Sequence, residues 1–342
     1  MTFRVMGPSV LTARLRVEPA DFVVEEIPSF DASGAGEHLL LTVRKQGLTT
    51  ADVAAMLSKW ARVPLQGVSY AGLKDKHGIT TQRFSIQIPR KVEPADPFPA
   101  SDALQLIDQA WHSRKLPRGA LIGNAFVMTL RDVDGDRNAI EERLELLKNK
   151  GFPNVFGEQR FGRGDNVGLA LQMFNGKRVA RHLRGLLLSA ARSHLFNDMV
   201  QRRYALNLYD QLVEGDVLML DGSRSIFGPI VPDAELLERF ARLDVVPTAA
   251  LWGTGELRTT GVVAQYESDS VQSDAQSMAL AHGLERAGLR QERRALIARA
   301  GNLEWEWLDA TTLRLRFDLS PGSYATSLLD QLGEVTDVKR AG

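Results

Sequence analysis

The 342-residue sequence has no cysteine. A disulfide framework, a cysteine-ligated zinc site and a thiol nucleophile are therefore excluded. It has no net charge either, with 42 Lys and Arg against 42 Asp and Glu. That balance argues against a wholesale polyanion binder, though not against a local polyanion site. Apolar runs are short: residues 186–191 form one of the longest, against the roughly 20 residues a membrane span needs. The first ten residues, MTFRVMGPSV, hold no continuous apolar signal-peptide core. A cytoplasmic protein with no membrane association is expected. The six histidines, His38, His77, His112, His182, His194 and His282, fall in no metal-ligand spacing. No GxSxG elbow appears, no GxGxxG follows a strand, and no glycine-rich P-loop is present. No metal, nucleotide cofactor or flavin is expected.

What the chain does have is an ordinary globular composition, 44% hydrophobic and 25% charged. At roughly 150 residues per domain, the length suggests two domains. The charge is unevenly placed. Residues 1–153 carry 20 basic and 18 acidic side chains, residues 154–204 carry 9 and 3, and residues 205–342 carry 13 and 21. The short central stretch is distinctly basic.

The first 131 residues read as strands and turns, with one helix. Short β-prone runs stand at 14–17, 22–27, 39–43, 68–71, 84–88, 104–107 and 125–130. Thr49-Thr50-Ala51-Asp52 has the hydroxyl and early carboxylate of a helix start. The helix should run to about Trp60, with Val53, Met56, Leu57 and Trp60 on one face. Helices are then expected to end near Gly151 and to cover 178–204, 234–243 and 271–286. Strands return at 303–308 and 313–319. Ser320-Pro321-Gly322 then has the residues to cap a final helix. Strands, then helices, then strands suggest an α+β domain interrupted by an insertion.

Three segments could carry chemistry. In the loop Gly72-Leu73-Lys74-Asp75-Lys76-His77, two lysines flank Asp75 and favour its ionised form. An ionised carboxylate can act as nucleophile or base. On spacing alone a solvated Asp in a charged turn stays open. In Phe156-Gly157-Glu158-Gln159-Arg160-Phe161-Gly162-Arg163-Gly164, Arg160 and Arg163 could meet phosphates, and the aromatics suit unpaired bases. A glycine-rich connection is the alternative. In Gly123-Asn124-Ala125-Phe126, Asn124 could read a base edge and Phe126 could stack on a base, or both could simply be a turn and a core residue. Arg178, Arg181 and Arg184 lie at helical spacing and could face RNA or only solvent.

Together these segments resemble the TruD family of tRNA pseudouridine synthases. The residues that carry the resemblance are Asp21-Phe22-Val23-Val24-Glu25, the 72–77 loop with Thr80 and Gln82, and Gly123-Asn124-Ala125-Phe126. They continue with Phe156-Gly157 and Gln159-Arg160-Phe161-Gly162, then Ser189-Ala190-Ala191-Arg192 with Leu195-Phe196-Asn197, and end with Pro321-Gly322-Ser323-Tyr324-Ala325-Thr326-Ser327. Departures are small: Val155 stands where the family often has Tyr, Gly78 where it often has Ala, and Tyr324 where Phe is frequent.

The resemblance implies an isomerase that converts uridine to pseudouridine at position 13 of tRNA. It places the nucleophile at Asp75, the residues holding the flipped base at Phe22, Asn124 and Tyr324, and the stacking platform at Phe126. It implies a pseudouridine-synthase catalytic domain with a mixed, largely antiparallel sheet flanked by helices, residues 1–150 plus 301–342. Residues 151–300 would form the inserted, family-specific α+β domain.

The chemistry agrees. The reaction exchanges an N-glycosidic bond for a carbon–carbon bond without redox, so no cofactor is needed. It does require a base taken out of its stack. Arg16, which precedes the Asp-Phe stretch, is assigned as the basic partner of Asp75. Lys74, Lys76, Arg160 and Arg163 are candidate RNA contacts. The partner is tRNA, and a chain of this size could work as a monomer. Two other readings compete. A tRNA-binding module or RNA chaperone without turnover would have no need of Asp75. A glycosidase would want a second carboxylate, for which Glu25 and Glu158 are candidates.

Overall fold

The computed structural model describes residues 3–157, 160–162 and 165–339. Arg163 and the Glu158-Gln159 pair lie outside the described residues. The chain forms two compact units, one of Ser9–Ile140, Gly301–Pro321 and Gly333–Gly342, the other of Met1–Pro8, Glu141–Ala300 and Gly322–Leu332.

The first unit is a sheet. It holds β1 (Leu11–Leu15), β2 (Phe22–Pro28), β3 (His38–Gln46), helix α1 (Thr50–Trp60), β4 (Val68–Tyr70), β5 (Ile79–Gln87), β6 (Leu104–His112) and β7 (Leu121–Asp134). After an excursion through the second unit it gains β14 (Gly301–Trp307), β15 (Leu313–Leu319) and β16 (Gly333–Asp337). The strand order is β14-β15-β7-β2-β5-β3-β6, with β1 against β7 and β16, and β4 against β5. The β1–β16 and β2–β5 pairs are parallel and the other pairs antiparallel. The sheet is thus mixed and largely antiparallel, and the fold is α+β, as the sequence led one to expect.

Alternation decides what this sheet buries. In β3 the inward set Leu39, Leu41 and Val43 packs with Phe84 of β5 against Val53 and Leu57 of α1. Helix α1 begins where expected. Thr49 accepts a hydrogen bond from the Asp52 amide while Asp52 accepts one from the Thr49 amide, a complete capping box.

The second unit contains helices α2 (Arg137–Lys150), whose first turn belongs to the sheet unit, α3 (Asn166–Phe174), α4 (Arg181–Ala205), α5 (Ala234–Ala241), α6 (Gly261–Gln272), α7 (Ala275–Arg286) and α8 (Ala325–Leu332). Its strands are β8 (Phe152–Pro153), β9 (Leu218–Leu220), β10 (Ile226–Phe227), β11 (Val245–Leu251), β12 (Glu292–Ala295) and β13 (Ile297–Ala298). Leu187, Ala191, Leu195 and Met199 recur every fourth residue of α4 and are buried in the core with residues of α3, α6 and α7.

Three expectations shift. The helix expected at 271–286 is two helices, because Asp274 caps a fresh start by accepting from the Ser277 amide. The final helix starts at Ala325 rather than at Ser320-Pro321. Gly322 stands at φ 91°, a left-handed turn residue that cannot open a right-handed helix. Strand β16 follows that helix, and its polar Gly-Glu-Val-Thr-Asp run gave no strand signal. Among the described residues no helix is long and apolar enough to cross a membrane, and no cluster of His, Asp and Glu could hold a metal ion.

Candidate active site

The sheet's register assembles one face of the first unit. Val24 pairs with Phe126 on β7 and Thr80 on β5, Phe126 with Phe317 on β15, and Thr80 with Lys45 on β3. Directly paired residues share a face. Phe317, Phe126, Val24, Thr80 and Lys45 therefore form a row across five strands. Two residues along each strand, Phe22, Asn124 and Gln82 lie on that same face.

The loop between β4 and β5 carries Asp75, and both of its carboxylate oxygens are held. Oδ2 lies 3.0 Å from Nη2 of Arg16, and Oδ1 accepts from the His77 amide at 2.8 Å. Arg16 follows β1 in the left-handed region, at φ 62°. Its side chain is only 3% exposed, its Nη1 lies 3.2 Å from Asp337 of β16, and its guanidinium sits 3.9 Å above the Phe22 ring. The structure thus brings together the predicted acid and its predicted basic partner. A guanidinium this close to a carboxylate favours the ionised form.

Phe22 is buried, edge-on to Phe126 with ring centroids 6.3 Å apart, and Phe126 stacks on Phe317 at 5.3 Å. Phe126 and Asn124 are partly exposed. The buried Oδ1 of Asn124 has no hydrogen-bond partner among the described residues, and the same is true of Thr80 Oγ1 and Arg16 Nε. Buried polar atoms are seldom left so.

The loop itself is tied at several points. Gln82 Nε2 donates to the Gly72 carbonyl, and the Lys74 amide donates to Thr50 Oγ1, which in turn donates to Gln82 Oε1. Lys45 Nζ donates to the Asp75 carbonyl, and the Gly47 amide donates to that of Lys76. Lys74 forms a buried ion pair with Glu26 at 3.0 Å instead of facing solvent, whereas Lys76 is exposed.

Tyr324 and Arg160 belong to the second unit. Arg160 donates to the Tyr324 hydroxyl at 2.8 Å and to Ser189 at 3.1 Å, and its guanidinium lies 5.3 Å from the Phe156 ring centroid. Arg294, which the sequence did not flag, stacks on the same ring at 4.1 Å and donates to the Asn154 and Gly322 carbonyls. Asn197 exchanges two hydrogen bonds with the Phe156 backbone. Phe156 and Arg160 are thus bound up in their own unit.

Sequence reasoning also missed Lys45, Glu26, Phe317 and Asp337. Lys45 had a usable signal, being the fourth member of the inward set Leu39, Leu41, Val43. Asp337 had none, because it depends on β16.

The sequence model of the family described as tRNA pseudouridine synthase D (TruD) matches residues 3–172 and 170–332. A protein of Xanthomonas axonopodis pv. citri named tRNA pseudouridine synthase D is 50% identical over 98% of this chain and 95% of its own. One of Psychrobacter arcticus with the same name is 37% identical over 96% and 92%. The crystal structure of a Methanosarcina mazei protein provisionally named tRNA pseudouridine synthase D superposes with a TM-score of 0.72 over 97% of this chain and 96% of that one, at 19% identity, a likeness of fold. With a match across nearly its whole length and half its residues shared with such a relative, the chain belongs to the TruD family.

Proposed function

We propose that the chain isomerises uridine to pseudouridine in tRNA, at position 13 as the family resemblance implies, with Asp75 as nucleophile. The observation that carries this reading is the Asp75 carboxylate held 3.0 Å from a buried arginine, on a loop clamped to the sheet face that bears Phe22, Asn124 and Phe126. In it, residues 1–150 plus 301–342 are the catalytic domain, which contains the whole sheet unit, and residues 151–300 are the family-specific insertion. Asp75 attacks the target nucleoside and the N-glycosidic bond breaks. C5 of the turned uracil bonds C1′ as the carboxylate is released, and the C5 proton is lost while N1 gains one. Arg16 keeps the carboxylate charged and aimed. Phe126 gives the freed uracil a flat surface on which to turn, backed by Phe317. The unpaired Asn124 acceptor suits the N3–H donor of uracil. Phe22 supports Arg16 from below as well as bordering the base. Tyr324 is assigned to substrate contact on the resemblance alone. The reaction is redox neutral and moves one bond, so neither metal nor cofactor enters. The protein acts as a monomer in the cytoplasm.

A module that only binds tRNA would have no use for a carboxylate braced in this way. Asp75→Asn is expected to abolish pseudouridine formation in unmodified tRNA while leaving tRNA affinity within about threefold, since one neutralised acid removes no phosphate contact. Product mapping and a binding titration on both proteins check this. Equal product from the two would remove Asp75 from the chemistry.

A further inference from the structure

Lys45 is a cation in an unusual place. It ends the inward row of β3, and 1% of it is exposed. Its Nζ donates to two main-chain carbonyls, Leu48 and Asp75, each at 2.8 Å. One belongs to the residue before the α1 cap, the other to the proposed nucleophile itself. A buried ammonium is costly to keep, and an apolar residue would suit a row that begins Leu39, Leu41, Val43.

We propose that Lys45 is a positioning residue for the reaction, its ammonium drawing the Asp75 carbonyl down to the Leu48 carbonyl and so fixing where the nucleophile stands above the sheet. The inference rests on Asp75 being the nucleophile. The carboxylate of Asp75 is aimed by Arg16 and the His77 amide. The backbone from which it projects is set by Lys45, with the Gly47 amide holding the next carbonyl. A carbonyl shared with a charged donor is held more firmly than one shared with a neutral donor. Two carbonyls also fix an ammonium more narrowly than a single carboxylate would.

The charged groups facing Lys45 are Asp75 and Lys74 from the loop and Asp52 from the first turn of α1, while its neighbours in the sheet, Thr80 and Leu104, are neutral. Burial is the largest influence and lowers the Lys45 pKa to about 8. Activity and stability should therefore respond to pH in opposite directions. Above about 8 the folded protein loses this proton, the charge-assisted clamp weakens, and the rate falls. Between about 8 and the ordinary value of 10.5 the unfolded chain still holds the proton, so this group adds stability as pH rises.

The experiment is single-turnover pseudouridine formation by the full chain from pH 6 to 10, for wild type, Lys45→Met and Lys45→Gln, with thermal midpoints and tRNA affinity measured alongside. Lys45→Met is expected to slow the reaction about 10- to 100-fold, the scale of a misplaced reacting group. Its tRNA affinity should match wild type, its thermal midpoint near neutral pH should be no lower, and its rate should lack the alkaline decline. Lys45→Gln, which keeps a neutral donor, should fall between and serves as the readout if the Met variant does not fold. An unchanged rate in either variant, or an alkaline decline persisting in both, overturns the proposal. So does a rate loss that only tracks a lowered midpoint. Asp75→Asn run beside them separates the two claims: if it stays active, the nucleophile assignment fails, and if it is dead while Lys45→Gln is fully active, only the role of Lys45 fails.

Discussion

At the scale of single residues, Arg16 is the pivot. It touches Asp75 with one nitrogen and Asp337 with the other, and its flat face rests on Phe22. Only a guanidinium does all three, because it is planar, forked and always charged. Arg16→Met would leave two carboxylates on either side of an uncharged side chain. Breaking a buried pair costs roughly 3–5 kcal/mol, but these carboxylates are 22% and 17% exposed, so solvent should reduce the loss to about 2–3 kcal/mol. Arg16→Lys should recover much of that stability and little of the rate, since one ammonium serves a single carboxylate well and does not stack as flatly on Phe22. Denaturant melts paired with single-turnover rates test the split. A lysine variant as fast as wild type would mean that only charge matters at this position. Arg16 could be picked out beforehand as the base near the Asp-Phe stretch. Its second carboxylate could not, because Asp337 comes within reach only through the parallel pairing of β1 with β16.

Among the elements, what was legible followed periodicity and caps, and what was not followed from pairing between distant strands. Helix α1 shows both of its signals and forms from Thr50 to Trp60. The stretch 271–286 opens with the polar run Gln272-Ser273-Asp274-Ala275-Gln276-Ser277. The Asp in it is the residue type that caps a fresh helix, a signal that reading one continuous helix passes over. Strand β5 begins at Ile79, well before the expected 84, because parallel pairing with β2 and antiparallel pairing with β3 carry it down to the loop. That extension is what lets Gln82 reach the Gly72 carbonyl and so hold the loop that carries Asp75. Strand β7 carries the Gly-Asn-Ala-Phe run for a steric reason as well as a chemical one. A Cβ on Gly123 would lie 2.5 Å from the Leu319 carbonyl oxygen of β15. The obstacle is backbone, so β15 would have to move from β7 next to Asn124, which pairs with Leu319. Gly123→Ala is expected to cost about 1–3 kcal/mol, the usual range for overpacking, and to slow catalysis by more than Ala125→Ser on the same strand. Equal stability of Gly123→Ala and wild type in a urea melt would show that β15 gives way freely.

For the molecule as a whole, zero net charge hides a division of labour. The sequence placed its basic excess between residues 154 and 204, with 9 basic against 3 acidic side chains. The structure sorts those residues. Arg203 is fully buried against Asp216, Arg192 donates to the Leu251 and Trp252 carbonyls, and Arg160 holds Tyr324. Arg178, Arg181 and Arg184 are different. Residues 181–186, the first turns of α4, are exposed throughout, as is Arg178. Counting charge along the sequence could not separate these groups, because burial of an arginine depends on its partners. Among the described residues these three are the exposed arginines of this stretch, free to meet phosphates, and phosphate contact leaves a measurable signature. Each neutralised phosphate releases counterions and adds roughly 0.7–0.9 to the slope of log affinity against log salt. Arg181→Glu with Arg184→Glu should therefore weaken tRNA binding most at low salt and flatten that slope by about 1.5 units, with the rate at saturating tRNA unchanged. Arg160→Met should do the reverse, lowering the rate at saturation through Tyr324 and leaving the slope alone. Parallel salt plots for wild type and the double variant would place α4 away from the RNA, and a flattened plot for Arg160→Met would return that arginine to the phosphate contacts.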